Sequence, residues 1–299
     1  MKGEKFLNNN KIKKLFITII SLSLLISIAV NIYFIFFDVN YYLQTKEQIY
    51  IMEAGILNNN SEFYEGEDIK INYDFDNPAY EKLIKDYKIQ EIAGNGTEFE
   101  KSLKLMNEFA PRLYHKSDYD SSIEISAIPL LEYSLDNRKH GINCRNKAQI
   151  LNEMCLALGI YSRKVWIMPN SSYDDECHVV NEVWDTSLDK WIMFDITNNQ
   201  YWVDENGMPL SILEIREKGS KKEFCTPVMP GDDLKDLSKL KKKYENEFIY
   251  VMKNMVYMQY FDSYSINEEA TTYILLPRNL DIDYEYIISK RSCEKSPID

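Results

Sequence analysis

Cys144, His178 and Asp195 are the residues whose types and order could do chemistry together. Acyl transfer by cysteine needs a thiolate, a base that takes and returns a proton, and a third group that fixes the imidazole. The three stand in that order, 34 and then 17 residues apart. Whether the thiol ionises depends on its surroundings, and therefore on the elements that place it and its partners.

The stretch His140 to Gly159, H-G-I-N-C-R-N-K-A-Q-I-L-N-E-M-C-L-A-L-G, reads as an amphipathic helix with Cys144 at its start. Asn143 is placed to cap it, and Ala148, Leu151, Cys155 and Leu158 recur at the spacing of one apolar face. Gly159 closes it, with Ile160 packing back near Cys155. A thiol in the first turn sits by unpaired backbone N–H groups and the positive end of the helix dipole, both of which favour the thiolate.

Downstream, Tyr161 to Met168 reads as a strand ending at Pro169, followed by an acidic, Ser-rich loop from Asn170 to Glu176. Two further strands, Cys177 to Trp184 and Lys190 to Ile196, make a hairpin. Side chains alternate along a strand, so His178 shares a face with Val180, Glu182 and Trp184, and Asp195 with Trp191 and Met193. A turn from Asp185 to Leu188 puts Asp195 directly opposite His178. A turn from Asp185 to Lys190 puts it opposite Val180 and diagonal to His178. Both registers leave the pair on one face; an odd-numbered loop would separate them.

These motifs resemble the transglutaminase-like superfamily. The matching segments are G-I-N-C-R-N-K-A with L-A-L-G-I-Y-S-R-K-V, then H-V-V-N-E-V-W, then W-I-M-F-D-I-T, over roughly Phe99 to Trp202. The resemblance implies a papain-like α+β fold, a nucleophile helix packed on an antiparallel sheet, and acyl transfer on amides. It assigns Cys144 as nucleophile, His178 as acid/base and Asp195 as the partner that orients the imidazole. Two positions depart from the pattern. The second residue after the His, usually aromatic, is Val180, with a Trp arriving only at Trp184. No side chain upstream of Cys144 matches an oxyanion-hole donor; its own N–H can supply one donor, and Arg138 and Tyr133 are the candidates for the second. Asn143 and His140 are further candidates to line or support the pocket.

The ordinary readings of the neighbouring residues are structural. A lone Cys is usually a small buried hydrophobe, and Cys155 on the helix's apolar face fits that description. His115 and His140 have no partner pattern. Glu182 shares the face of His178, but four strand positions correspond to about 13 Å. Cys177-His178 beside Asp174-Asp175-Glu176 has metal-ligating residue types, yet there is no HExxH, paired CxxC or calcium loop, and no cofactor or metal is expected. Lys218 to Lys222 and Lys239 to Lys243 read as solvated faces.

Across the whole chain of 299 residues, 45% are apolar and 13% aromatic, which indicates folded material. The first fourteen residues carry a net +4 of the total of -12, so the remainder carries -16, which argues against a nucleic-acid partner. Five cysteines, Cys144, Cys155, Cys177, Cys225 and Cys293, form no even-numbered disulfide framework. Leu15 to Phe37 is an uncharged run of 23 residues, about 35 Å as a helix against a hydrocarbon core of about 30 Å. Ser27-Ile28-Ala29 offers a signal-cleavage site, but the apolar run continues to Phe37, which favours an uncleaved anchor. Lysines before it place the N-terminus in the cytoplasm and the remainder outside.

The expected organisation is a basic tail and transmembrane anchor at 1–37, a membrane-proximal segment at 38–95, a transglutaminase-like domain at 96–215 and a C-terminal extension at 216–299. Helices are expected at Tyr42 to Leu57, Tyr80 to Ile92, Phe99 to Phe109 and in one long run from Asp232 to Gln259. Ile123 to Leu135 leads into the cysteine helix, and 197–230 reads as loops. Strands are expected at Ile69 to Phe75, Thr271 to Leu276 and Tyr284 to Ile288. The fold class is α+β. The function expected is membrane-anchored, cysteine-dependent acyl transfer on a protein or peptide amide, of the cell envelope by location, with water or an amine as acceptor. The alternative is a noncatalytic binding or assembly module that keeps the fold. No residue pattern fixes the oligomeric state.

Overall fold

The computed structural model describes residues 2–118, 122–171, 173–174, 176–264, 270–282, 287–288 and 295–298, with side chains from residue 10 onward. Its helices are α1 (Lys2–Asn59), α2 (Tyr80–Asp86), α3 (Ile89–Ala93), α4 (Glu98–Phe109), α5 (Ala127–Asp136), α6 (Cys144–Ala157), α7 (Ile212–Lys221), α8 (Leu237–Lys243) and α9 (Glu245–Lys253). Its strands are β1 (Ser162–Met168), β2 (His178–Asp185), β3 (Lys190–Asp195), β4 (Gln200–Val203), β5 (Thr226–Val228), β6 (Tyr257–Phe261), β7 (Thr272–Leu275) and β8 (Ile287–Ile288). The chain divides into two units, Met1–Met52 and Glu53–Asp299.

The first unit is helical. α1 is long and apolar enough to cross a membrane, and its apolar side chains, among them Phe16, Leu25, Ile35 and Phe36, are exposed. An apolar surface of that extent is ordinarily covered by lipid or protein.

The second unit is built on one sheet in the order β5-β4-β3-β2-β1-β6-β7-β8, antiparallel throughout except for β7 against β8. Both faces of its centre are covered, which is why all eight residues of β2 are buried. Asn181 Nδ2 donates to Ala148 O in α6, whereas Glu182 Oε1, one residue along, accepts from Ile212 N at the start of α7. Successive side chains thus meet helices on opposite faces. On the α6 side, Leu105, Met106, Phe109, Leu130, Leu131, Ile150, Leu151 and Met154 pack with Val183, Ile192, Phe194 and Ile196.

α6 forms where the capping signals put it. Asn143 Oδ1 accepts from Asn146 N, and the helix ends with Gly159 at φ +71, Gly159 N donating to Leu156 O and Ile160 N to Cys155 O. Glycine adopts that left-handed conformation without the Cβ penalty. The hairpin takes the second of the two registers, with Asp185 paired to Lys190 and Asn181 to Phe194. Asp185 holds its turn: Oδ1 accepts from Ser187 N and Leu188 N at 3.0 Å each, and Oδ2 from Phe99 N at 2.9 Å, tying the turn to α4.

The helix expected from Asp232 to Gln259 is instead broken. α8 stops at Tyr244, whose hydroxyl donates to Asp232 at 2.8 Å, α9 stops at the buried Asn254, and Tyr257–Phe261 pairs with β1. Aromatic side chains suit that half-buried strand better than a further helical turn. The expected loop at 197–230 contains β4, β5 and α7, the last capped by Ser211 and Glu214 in a reciprocal box. Ile69 to Phe75 forms no strand and contributes one bridge, Asn72 to Ser263. Of the expected Tyr284 to Ile288 strand, 284–286 lie outside the described residues, as does Cys293.

Replacing Asp185 by Ala should cost about 2–4 kcal/mol in unfolding free energy, because it strands buried N–H donors at about 1–3 kcal/mol each. Urea denaturation of the detergent-solubilised protein measures this, and a loss below about 0.5 kcal/mol would show that the carboxylate does not hold the turn.

Candidate active site

The first turn of α6 and the first residue of β2 meet at a cleft of about 480 Å³. Cys144, His178, Asn143, Arg145, Val179, Trp166, His115, Glu176, Cys177 and Tyr250 are among its lining residues. His178 Nε2 donates to Asp195 Oδ2 at 2.9 Å. Cys144 lines the same cleft and interacts with that imidazole; with Nε2 committed to Asp195, Nδ1 is the ring nitrogen left for sulfur. The backbone N–H groups of Val179 and Arg145 also favour charge on that sulfur.

Asp195 is fully buried and saturated with donors. Its Oδ1 accepts from Thr197 N and Asn198 N, and Oδ2 from Asn198 Nδ2 at 2.8 Å and Gln200 Nε2 at 3.3 Å as well as from His178. Burial alone would raise its pKa, but the imidazolium and the Asn198 bonds hold it below the ordinary carboxylate value. Burial likewise opposes charge on His178, yet Asp195, and then Cys144, raise it to about 10. For Cys144, burial favours the thiol, but His178 and the two backbone donors outweigh it and lower the pKa. Both shifts favour the imidazolium–thiolate form of the pair. Among the described residues the other thiols go the opposite way: burial pushes Cys155 up to about 11 and Cys225 to about 12, and burial with the neighbouring Cys144 raises Cys177.

The remaining site candidates separate. Asn143 caps α6 and lines the cleft. Tyr133, Arg138 and His140 are not among the lining residues; the Tyr133 ring stacks on His140 at 4.4 Å, and His140 Nδ1 bonds Tyr133 O at 3.0 Å. Trp184 lies six strand positions from His178, about 20 Å, edge-on to Trp191. Glu182, on the face of His178, is engaged by Arg163, its cross-strand partner in β1, at 2.9 Å from Nε and 2.6 Å from Nη2.

Other cleft residues arrive by routes that the motifs do not mark. His115 is carried there by a bridge to Ile142, two residues before Cys144, with Lys116 N donating to Ile142 O and Ile142 N to Tyr114 O. Burial, then Lys147 and His178, lower its pKa, which favours the neutral ring. Gly141 was the local signal for that close approach, since a Cβ there would stand 2.7 Å from Lys116 Cβ. Lys147, one turn after Cys144, is buried, and its pKa is lowered by that burial against the pull of Asp195 and Cys144. Among the described residues no group of three or more His, Cys, Asp or Glu side chains could hold a metal ion.

Residues 86–196 match the family model of the transglutaminase-like superfamily. This segment is a transglutaminase-like domain. The match takes in α6, β1, β2 and β3, and so Cys144, His178 and Asp195, and ends before the later strands and α7 to α9. One solved structure similar to this chain is titled a putative cysteine protease from Cytophaga hutchinsonii, at 15% identity and a TM-score of 0.27, covering 54% of this chain and 57% of that one. The chain thus spans little more than half of that protein, and the likeness is too slight to transfer a fold or an activity. No curated protein matches the sequence.

A thiolate held by imidazolium should show itself in alkylation. Cys144 is expected to react with iodoacetamide at pH 6 at least about tenfold faster than the same residue in a His178→Ala variant, whose rate should rise only toward the ordinary thiol range near pH 8.5. Equal rates at pH 6, read by peptide mass spectrometry, would mean that His178 does not activate the thiol.

Proposed function

We propose that the transglutaminase-like domain is a cysteine-dependent acyl-transfer enzyme that cleaves or transfers protein or peptide amides through a thioester on Cys144. The observation that supports this reading is that Cys144, at the N-terminus of α6, and His178, bonded to Asp195, line one open cleft. The Cys144 thiolate attacks the carbonyl carbon; its own N–H, in the first turn of α6, stands where the oxyanion develops. His178 gives its Nδ1 proton to the departing amine, and the sulfur–carbon bond remains as thioester. The neutral imidazole then takes a proton from water or an amine, whose attack releases the acyl group and restores the imidazolium and the thiolate. Asp195 keeps Nε2 protonated throughout and so keeps Nδ1 aimed at sulfur. His115, Ser117, Trp166 and Tyr250 line the same cleft and are in place to contact the substrate.

The reading extends to location. α1 is long and apolar enough for a membrane span, and the lysines before Leu15 favour an N-terminus in the cytoplasm with the domain outside. A tethered external enzyme meets substrates of the cell envelope first.

The test uses an activated ester, which needs no knowledge of the natural substrate. Wild-type protein should release p-nitrophenol from p-nitrophenyl acetate in a burst of about one equivalent, with the acetyl group found on Cys144. Cys144→Ala should lose the burst and Asp195→Asn should slow it by about 10²–10⁴-fold. Adding cadaverine then separates the acceptors by amide product against acetate. A wild-type protein with no burst above the Cys144→Ala background would leave the noncatalytic module as the correct reading.

A further inference from the structure

The transglutaminase-like segment leaves one side of its base to be covered by something else. β2 offers no ring there, since the next side chain on the His178 face is Val180. Tyr250, from α9, supplies it: the phenol ring lies edge to face with the imidazole, centroids 6.0 Å apart and planes at 67°. His178 is 4% exposed, whereas Tyr250, which lines the cleft, is 37% exposed, so the phenol stands on the solvent side of the base.

The same helix grips the chain that delivers His178. Lys253, three residues and so nearly one turn beyond Tyr250, pairs with Glu176 at 2.7 Å and with Asp174 at 2.9 Å. Those carboxylates sit two and four residues before His178. A ring on the imidazole and an ammonium on its approach loop fix the base from two directions, both from residues beyond the 86–196 match.

We propose that Tyr250 is a positioning residue for His178: its ring covers the charged imidazole, excludes water from it and holds it between Asp195 and Cys144. The proposal rests on the reading of Cys144 as nucleophile. An aromatic ring within about 6 Å of a cation stabilises the charged form, more so when water is kept away. The phenol itself stays neutral, its pKa pushed up to about 12 by burial and by Cys144, Glu176 and Asp195. The titratable and charged groups around His178 are Asp195 from β3, to which it is bonded, and, lining the same cleft, Cys144 and Arg145 from α6, His115 beside the bridge to Ile142, Glu176 and Cys177 on its own chain and Tyr250 from α9.

The experiment compares Tyr250→Phe, Tyr250→Leu and Tyr250→Ala in the full-length, detergent-solubilised protein, each checked for a cooperative thermal transition. The readout is the pH profile of Cys144 alkylation by iodoacetamide, which requires no substrate. Loss of the ring destabilises the imidazolium and with it the thiolate, so the acid limb should move to higher pH. The pH 6 rate should fall about three- to tenfold in Tyr250→Leu and Tyr250→Ala, while Tyr250→Phe stays within about twofold of wild type. Should the Ala variant not fold, the Leu and Phe pair decides. A Leu variant with the wild-type profile overturns the proposal, and so does a Phe variant that falls as far as Leu, which would assign the role to the hydroxyl. A wild-type protein whose Cys144 is no faster than in His178→Ala would overturn the nucleophile reading instead, which keeps the two failures apart.

Discussion

The pairing of Asp185 with Lys190 decides where Asp195 stands, because a strand presents alternate residues to opposite faces and a slip of one position would turn the carboxylate away from His178. The turn carries its own restraints. Asp189 takes a left-handed conformation at φ 52, and the buried Asp185 carboxylate collects the N–H groups of Ser187, Leu188 and Phe99. Once the register is fixed, charge follows by steps. A buried carboxylate without partners would take up a proton, but five donors surround Asp195, so it remains an anion. That anion favours the charged form of His178, and His178 in turn lowers the pKa of Cys144.

Much of this was legible because it is local. A cap at Asn143 and a left-handed glycine at Gly159 bound the cysteine helix, and both are properties of a few adjacent residues. Alternation and a polar turn bound the hairpin in the same way. Where the reading departed from the structure, long-range packing or an overlooked local signal was responsible. The apolar period from Asp232 onward continues through Met255, but pairing with β1 draws Tyr257–Phe261 into the sheet. α7 carried a reciprocal cap at Ser211 and Glu214 that went unread among the glycines and prolines around it.

The cleft itself was the least legible part. Trp166 comes from the strand after the nucleophile helix, His115 from a bridge to Ile142, and Tyr250 from a helix more than seventy residues beyond His178. None has a spacing motif, because each is placed by a partner distant in sequence. Only Gly141, where a Cβ would collide with Lys116, left a trace of the close approach that brings His115 in.

Two carboxylates lie on the His178 face of the hairpin, and their surroundings give them different work. Glu182 is opposed across the strands by Arg163, whose guanidinium lies between the Trp191 and Tyr260 rings at 3.9 and 4.8 Å, and it also accepts from Ile212 N. Its charge is therefore matched within its own layer, and its two oxygens are committed to the joint between sheet and α7. Breaking such a buried pair from either side leaves an uncompensated charge, so the site is costly to alter and remains structural. Asp195 has no guanidinium beside it; its donors are neutral apart from the imidazole. Neutral hydrogen bonds keep the carboxylate ionised without cancelling its field, which is felt by the imidazole bonded to it and, without a hydrogen bond, by Lys147. The difference between an anion paired with arginine and an anion held by amides and one imidazole is what separates the structural carboxylate on this face from the one that can polarise a base.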